Sequence, residues 1–241
     1  MREELCRLAR VVGAEAIERL RGAHVALLGV GGVGGFAAEA LARSGVGEIT
    51  LVDGDEVALS NINRQVIALH STVGRAKVEV ARARLLDINP DMKVNALRRV
   101  YLPGDELPFP PDVAYVIDAI DTVASKVELA CECERLGVPL ISCMGTGNKL
   151  DPTLLRVSDI YATDVCPLCR VMRRELRSRG VARLKVVFST ETPVKPIDDG
   201  EQAQGARRSV PGSTMFVPPV AGIMLAREAV MSIIGGEGER R

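Results

Sequence analysis

The sequence has no excess charge of either sign, because its 241 residues include 31 lysines and arginines and 31 aspartates and glutamates. A general attraction to polyanions is therefore excluded, and any nucleic-acid binding must come from a local cluster of charge. Residues 1–20 carry charged side chains throughout and no apolar run, so we expect no secretory signal peptide. For a chain with six cysteines, this favours a reducing, cytoplasmic location.

No stretch of the sequence is long and apolar enough for us to expect a membrane span. Residues 216–235 come nearest, but Arg227 and Glu228 interrupt them, and we interpret the segment as a buried helix. The chain also has no internal repeat. Its hydrophobic content of 47% is enough for a sizeable core, and its length fits one large α/β domain, residues 1–241.

The cysteines lack the second CxxC pair that a four-cysteine zinc site needs. Cys166 and Cys169 have zinc-like spacing, but no further CxxC follows them. Cys131 and Cys133 fall in a predicted helix, where residues two apart point to different faces. We therefore expect structural thiols in place of a zinc site.

Strand-like and helix-like segments alternate between residues 24 and 145, which is the rhythm of an α/β fold. The predicted strands are residues 24–30, 48–53, 92–98, 115–121 and 139–145, and the predicted helices are residues 33–44, 72–89 and 123–136. Four strands are nearly continuous in Val, Ile and Leu, as in strands that are buried on both faces. We predict a Rossmann-like, mostly parallel sheet with helices on both faces.

Both ends of the chain depart from this alternation. Residues 5–20 have apolar side chains at helical spacing and predict one or two lead-in helices. Strand-like residues 154–160 and 184–190 flank an arginine-rich helical segment and predict an antiparallel extension, and residues 191–217 read as a long mobile loop. The resulting division is a helical lead-in (1–22), a nucleotide-binding core (23–150) and a substrate-facing extension (151–241).

A glycine-rich turn follows the first predicted strand and opens the next helix. Gly29, Gly31 and Gly34 stand in GxGxxG order. The first glycine permits the tight turn, the second lets the backbone approach a phosphate, and the third lets helix and strand pack. Asp53 ends the next strand, where a carboxylate accepts hydrogen bonds from a ribose. These residues form a candidate nucleotide site.

The residues after Asp53 do not fit a nicotinamide enzyme. Asn61 and Arg64 lie in a polar loop, and Lys77 lies early in the following helix. Hydride transfer has no need of such cations, whereas an enzyme that breaks a triphosphate does, because negative charge builds on the leaving group. The pattern favours ATP, with an NAD-linked oxidoreductase and a non-catalytic nucleotide-binding adaptor as alternatives.

The ordered segments "GVGGVG", "LVDGDEV", "SNINRQ", "VGRAKVE", "INP" and "VIDAIDT" resemble the ThiF/MoeB/HesA family, relatives of ubiquitin-activating enzymes that adenylate carboxylates with MgATP. Further along the chain, "GTGNKLDPT", "VVFSTE" and "GSTMFVPPVAG" resemble the branch of tRNA threonylcarbamoyladenosine dehydratases. Together the two sets of segments span nearly the whole sequence.

The resemblance implies roles for individual residues. Asp53 would bind the ATP ribose, Asp121 would ligate Mg²⁺, and Asp118 is interpreted as structural. Arg10 would reach the γ-phosphate in the partner subunit of a homodimer, with a solvent-facing arginine as the alternative. The implied nucleotide-binding residues are Gly29, Gly31, Gly32, Gly34, Asp53, Asp55, Asn61, Arg64 and Lys77, and the implied catalytic residues are Arg10, Arg64, Lys77 and Asp121.

The resemblance also implies a substrate. The threonyl carboxylate of threonylcarbamoyladenosine in tRNA would attack the ATP α-phosphate, and the neighbouring ureido group would then close the ring. Residues 166–185 carry seven positive charges and one negative charge, a net +6, which suits a tRNA backbone, with a solvated helix face as the alternative. A sulfur-relay protein is a further partner that some relatives use.

A sulfur carrier is the alternative substrate. Related enzymes adenylate the C-terminal glycine of a ubiquitin-like sulfur carrier, and some pass the acyl group to a cysteine in the loop after the strand at 184–190. Residues 189–217 contain no cysteine, so we expect no thioester intermediate. Cys143, at the end of a predicted strand, is the minor candidate.

Overall fold

The computed structural model describes residues 2–195 and 211–235. In that part of the chain a single sheet of seven strands has the order β3-β2-β1-β4-β5-β7-β6. Its strands are β1 (His24–Leu28), β2 (Glu48–Val52), β3 (Lys93–Leu97), β4 (Tyr115–Asp118), β5 (Leu140–Cys143), β6 (Leu155–Asp159) and β7 (Lys185–Ser189). Neighbouring strands are parallel except β6, which pairs antiparallel with β7.

Helices cover both faces of the sheet. They are α1 (Cys6–Val12), α2 (Ala14–Arg21), α3 (Gly34–Arg43), α4 (Lys77–Ile88), α5 (Val123–Leu136), α6 (Pro167–Ser178) and α7 (Val217–Ile233). Helices α2, α3, α4 and α7 share one core with the sheet, and α5 and α6 pack on the opposite face. The predicted Rossmann-like class, helical lead-in and antiparallel extension are confirmed.

Alternating residues of the central strands enter different cores. Val25 and Leu27 of β1 pack in the core with α3 and α7, whereas Ala26 and Leu28 pack in the core with α5. A strand between two helical layers buries both of its faces, because successive side chains point in opposite directions. This explains the nearly continuous apolar runs in the sequence.

The strand order places a crevice above the sheet between β1 and β4. From β1 the chain builds outward through β2 and β3, then returns to β4 on the other side of β1. Loops after such neighbouring strands diverge, and ligands bind at the carboxyl ends of the strands there. The fold thus brings the ends of β1, β2 and β4 around one space.

Several elements are shorter than predicted. β1, β2 and β4 end at Leu28, Val52 and Asp118, because the residues that follow leave the sheet to line the crevice. The helix predicted from residue 72 begins at Lys77, since the Gly74 N–H donates to the Val57 carbonyl and holds the preceding residues in a turn. Most of the loop predicted at 191–217 lies outside the described residues. Among the described helices, none has the length and apolarity to cross a membrane.

Candidate active site

A cavity of about 590 Å³ lies at the carboxyl ends of β1, β2, β4 and β5. Its volume is within the range of small-molecule sites. The cavity is lined by Asp121, predicted for the metal, and by most of the residues predicted for the nucleotide, namely Gly29, Gly31, Gly32, Asp53, Asp55, Asn61, Arg64 and Lys77. Residues that are far apart in the sequence are therefore gathered around one space.

The glycine-rich turn shapes one wall of the cavity. Gly29 has a φ of +91°, and a Cβ there would lie 2.5 Å from the Ala119 carbonyl oxygen, so only glycine fits. A Cβ on Gly31 would meet only the Gln65 amide, at 3.8 Å. Gly34 does not line the cavity: its Cβ would lie 1.8 Å from the Gly29 carbonyl oxygen, so it serves packing of α3 on β1.

Asp53 ties the glycine-rich turn to the end of β2. Its Oδ2 accepts a hydrogen bond of 2.7 Å from the Val30 N–H, and its Oδ1 accepts one of 2.9 Å from the Asp55 N–H. The carboxylate is half-buried and lines the cavity. Because each oxygen has a further lone pair, Asp53 can hold the turn and still accept a ligand hydroxyl.

Two cations face the cavity from the segment after β2. The Lys77 side chain is only 8% exposed, and its Nζ lies 2.7 Å from Oδ2 of Asp55, whose side chain is 69% exposed. The Arg64 Nη1 donates to the Ser60 carbonyl and to Asn63 Oδ1, both at 2.9 Å. An ammonium held on a buried stem beside an exposed carboxylate is well placed to meet an entering anion.

Asn61 and Arg64 belong to one tight turn. The Asn61 Oδ1 accepts from the Ala58 N–H at 3.1 Å, and the Asn61 carbonyl accepts from the Arg64 N–H. The Asn61 amide thus helps to fix the backbone that presents Arg64.

The loop after β4 supplies the acidic side of the cavity. Asp121 is exposed in the lining, whereas Asp118 is fully buried. The Asp118 carboxylate pairs with the buried Lys126 ammonium at 2.9 Å, and Lys126 also donates to the Ile120 carbonyl at 3.0 Å. The two aspartates therefore have different positions: Asp118 is buried under the loop and holds it through Lys126, and Asp121 lines the cavity.

Arg10 is the one predicted catalytic residue that lies away from the cavity. It is exposed on α1 and is not among the lining residues of its own chain. A role in catalysis would therefore require a second subunit.

The cavity has further lining residues that the sequence did not predict, among them Gln65, Arg99, Tyr101 and residues 211–213. Gln65 is 7% exposed and lines the cavity, and its Oε1 has no hydrogen-bond partner among the described residues. Its place in the "SNINRQ" segment was the signal that could have found it. Residues 211–213 also line the cavity, held by Asn63 Nδ2, which donates to the Ser213 carbonyl at 3.0 Å. No local sequence pattern could show that residues 211–213 approach Asn63, because the two segments lie far apart in the chain.

The cysteines near the cavity are buried. Burial raises the pKa of Cys143 to about 12, so its thiol is a poor nucleophile. Within residues 2–195 and 211–235, no three Cys, His, Asp or Glu side chains are grouped closely enough to hold a metal. Mg²⁺ does not need such a group, because it binds one or two carboxylates together with substrate phosphates.

The basic segment at 166–185 is partly neutralised by contacts within the protein. Arg179 pairs with Glu128 at 3.0 Å, Arg174 pairs with Glu175 at 2.8 Å, and Arg177 lies over the Tyr161 ring. Arg170 and Arg183 are exposed and have no such contact among the described residues. Arg183 lines a second cavity, which lies at the amino ends of β4 and β5 and therefore away from the nucleotide cavity at their carboxyl ends. The positive charges of residues 166–185 thus do not form one patch.

The family model of the ThiF family matches residues 5–240. The chain belongs to the ThiF family. This ThiF-family chain is similar to the tRNA threonylcarbamoyladenosine dehydratase of Bacillus subtilis strain 168, with 43% identity over 97% of the chain and 96% of the relative. Among solved structures, the Escherichia coli tRNA N6-threonylcarbamoyladenosine dehydratase in complex with ATP has a TM-score of 0.85 at 33% identity, covering 100% of this chain and 97% of that chain.

Another branch of the ThiF family matches over a shorter region. The sulfur carrier protein ThiS adenylyltransferase of E. coli K12 is 35% identical over 58% of this chain and 56% of the relative. The likeness to the dehydratases thus extends over β6, α6 and β7, beyond the nucleotide-binding core.

Proposed function

We propose that this protein is an ATP-dependent tRNA threonylcarbamoyladenosine dehydratase, which adenylates the threonyl carboxylate and lets it cyclise with release of AMP and pyrophosphate. The observation that carries the proposal is the 43% identity to the B. subtilis dehydratase over 97% of the chain. A fold alone does not identify a function. The cations and carboxylates around the cavity support the chemistry residue by residue.

In the proposed complex, the glycine-rich turn and its neighbours hold the nucleotide. Gly31 leaves the backbone open to phosphate oxygens, and Gly32 lets the turn pack closely against Arg64. Asp53 accepts from the ribose, and Arg64 and Lys77 bind the phosphates. Asn61 fixes the turn that presents Arg64. The Lys77 ammonium then exchanges its contact with Asp55 for one with a phosphate oxygen, while the buried part of the side chain stays in place.

The residues of the cavity fit Mg²⁺. Asp121 is an exposed carboxylate that lines the same cavity as Arg64 and Lys77, and Mg²⁺ prefers such a carboxylate together with phosphate oxygens. When bound, Mg²⁺ would supply positive charge next to the departing pyrophosphate. Arg64 and Lys77, which line the same cavity, would neutralise the same charge.

The chain's own residues position the two reactants and need not supply a nucleophile. The buried Gln65 Oε1, which has no partner among the described residues, is suited to accept a hydrogen bond from a ligand in the cavity. Once the carboxylate is activated, the ureido group is already adjacent to it, and ring closure is intramolecular.

We further propose that the whole chain acts as one domain in a cytoplasmic homodimer in which Arg10 of one subunit completes the site of the other. Arg170, exposed near the cavity end of α6, would contact the tRNA backbone. Arg207 and Arg208 belong to the predicted loop at 191–217 and lie outside the described residues. A sulfur-relay protein would be a transient partner.

The test is AMP release by the purified protein with ATP and Mg²⁺. We expect AMP and pyrophosphate with tRNA that carries threonylcarbamoyladenosine, and none above background with the same tRNA lacking it. Mass spectrometry of the nucleosides should show loss of one water. AMP formation that responds to a ubiquitin-like sulfur carrier and not to modified tRNA would overturn the proposal in favour of the sulfur-carrier branch.

A further inference from the structure

Two thiols of the CxxC pair lie together at the beginning of α6. Cys166 precedes the first residue of the helix, and Cys169 lies in its first turn. The side chains are 3% and 0% exposed. The interaction with the Cys169 thiol, acting against the effect of burial, lowers the pKa of Cys166 below its ordinary value, and the same interaction raises the pKa of Cys169. Cys166 is therefore the thiol of the pair that ionises first, and Cys169 stays protonated.

A buried ammonium lies near the same thiol. Lys149 is 2% exposed, and its Nζ has one hydrogen-bond partner among the described residues, the Ser189 carbonyl at 3.3 Å. Buried cations are usually paired with an anion, because an unpaired charge is costly in the interior. No carboxylate of the described residues pairs with Lys149, whereas its charge acts on Cys166 and stabilises the thiolate.

The dithiol lies directly behind the wall of the nucleotide cavity. Gly145 and Leu168 line the cavity, and the Cys166 Sγ lies 4.0 Å from the position of a Cβ on Gly145. The Leu168 Cβ lies 3.9 Å from the same position, so the Cys166 sulfur lies just behind two residues of the cavity wall. Val165, just before the pair, has a φ of +49°, an uncommon conformation for a β-branched residue.

We propose that Cys166 and Cys169 form an oxidisable dithiol on the wall of the nucleotide cavity, in which Cys166 reacts with hydrogen peroxide and Cys169 closes a disulfide. Cys166 precedes the first helical residue, so its position is not fixed by the helix, and its sulfur interacts with that of Cys169. Hydrogen peroxide is small enough to reach a thiol that larger reagents cannot. An acidic thiolate next to a second thiol is the usual arrangement of a cysteine that oxidises reversibly.

The chemistry balances in two steps. The Cys166 thiolate attacks one peroxide oxygen, the O–O bond breaks, and the displaced hydroxide takes up a proton to give water, leaving a sulfenic acid. The Cys169 sulfur then attacks the Cys166 sulfur, the S–O bond breaks, and the leaving hydroxide combines with the Cys169 proton as a second water. Two electrons pass from the two thiols to the peroxide.

The test is limited oxidation of the reduced full-length protein with hydrogen peroxide. We expect the thiol count to fall from six to four, a Cys166–Cys169 disulfide by peptide mapping, and full recovery with dithiothreitol. Cys169→Ser should stop the reaction at the sulfenic acid, detected by mass spectrometry as the addition of one oxygen atom at Cys166, and Cys166→Ser should abolish disulfide formation. Lys149→Met should slow oxidation severalfold, and circular dichroism would check that it folds.

Cys131→Ser is the matched control, because Cys131 is half-buried and burial raises the pKa of its thiol. The Cys131→Ser protein should form the Cys166–Cys169 disulfide at the native rate. Oxidation that appears first at Cys6 or Cys131 while Cys166 stays reduced would overturn the proposal. So would an unchanged rate in a folded Lys149→Met protein, because the thiolate would then not depend on the buried ammonium.

Discussion

Lys77 illustrates how single side chains make this cavity suitable for a triphosphate. Its stem is buried, so the ammonium cannot move away into solvent, and Asp55 holds it at the cavity mouth. A fixed cation is more effective than a mobile surface lysine, because its position is set before charge develops on the leaving group.

We predict that Lys77→Met lowers the rate of AMP formation by roughly 10²- to 10³-fold, the effect of removing one charge-stabilising group. Nucleotide binding should also weaken. Arg75→Met is a matched control, because Arg75 is exposed nearby and does not line the cavity. Equal losses in both variants, measured by AMP release, would contradict a specific role for Lys77.

Asp121 should be needed for the metal and not for the fold. We predict that Asp121→Ala abolishes adenylation, and that Asp121→Asn shifts half-saturation with Mg²⁺ to higher concentration, because an amide is a weaker ligand than a carboxylate. The urea midpoint should stay close to native, since Asp121 is exposed. Asp112→Asn, at another exposed aspartate, controls for the loss of charge. Unfolding of the Asp121 variants would count against this assignment.

At the scale of the elements, the sequence predicted the order of strands and helices but not all of their contacts. The apolar runs predicted the buried strands because those strands lie between two helical layers. Nothing in the local pattern could show that Lys126 pairs with Asp118, since that contact joins α5 to the end of β4. Gln65 was similarly hidden, because burial of a polar residue depends on which elements pack around it.

The glycine-rich turn gives a prediction that separates packing from binding. Gly34→Ala should destabilise or prevent folding, because its Cβ would overlap the Gly29 carbonyl oxygen. Gly31→Ala should fold, because its nearest neighbour would be 3.8 Å away, yet bind ATP more weakly because the methyl group enters the phosphate space. Urea unfolding and nucleotide titration measure the two effects, and the opposite ranking would contradict the assignment.

The buried pair of Asp118 and Lys126 gives a stability prediction. Lys126→Met leaves the Asp118 carboxylate buried without its counter-ion, which should cost about 3–5 kcal/mol in the free energy of unfolding. Asp118→Asn combined with Lys126→Met should recover part of that loss, because the amide carries no charge. Urea titrations of the single and double variants measure the coupling, and additive losses would show that the pair is not coupled.

At the scale of the whole molecule, the position of Arg10 ties the proposed mechanism to a dimer. Its exposure on α1, away from its own cavity, is consistent with either a solvent-facing side chain or a contribution to a neighbouring subunit. The sequence alone could not choose between them, because contacts between subunits leave no local pattern.

Subunit mixing tests the contribution in trans. Arg10→Ala and Arg64→Ala should each be nearly inactive, and a re-equilibrated mixture should regain activity, because mixed dimers contain one site with both arginines intact. We expect about a quarter of native activity for random pairing of the two chains. A mixture no more active than its components, although analytical ultracentrifugation shows exchanged dimers, would rule out catalysis by Arg10 across an interface.

The proposed reaction depends most on where the triphosphate binds, and a crystal structure of this chain with a non-hydrolysable ATP analogue and Mg²⁺ measures that directly. We expect phosphate oxygens within hydrogen-bond distance of Arg64 and Lys77, the ribose hydroxyls on Asp53, and the metal on Asp121. A nucleotide bound with its phosphates remote from all three of Arg64, Lys77 and Asp121 would contradict the account.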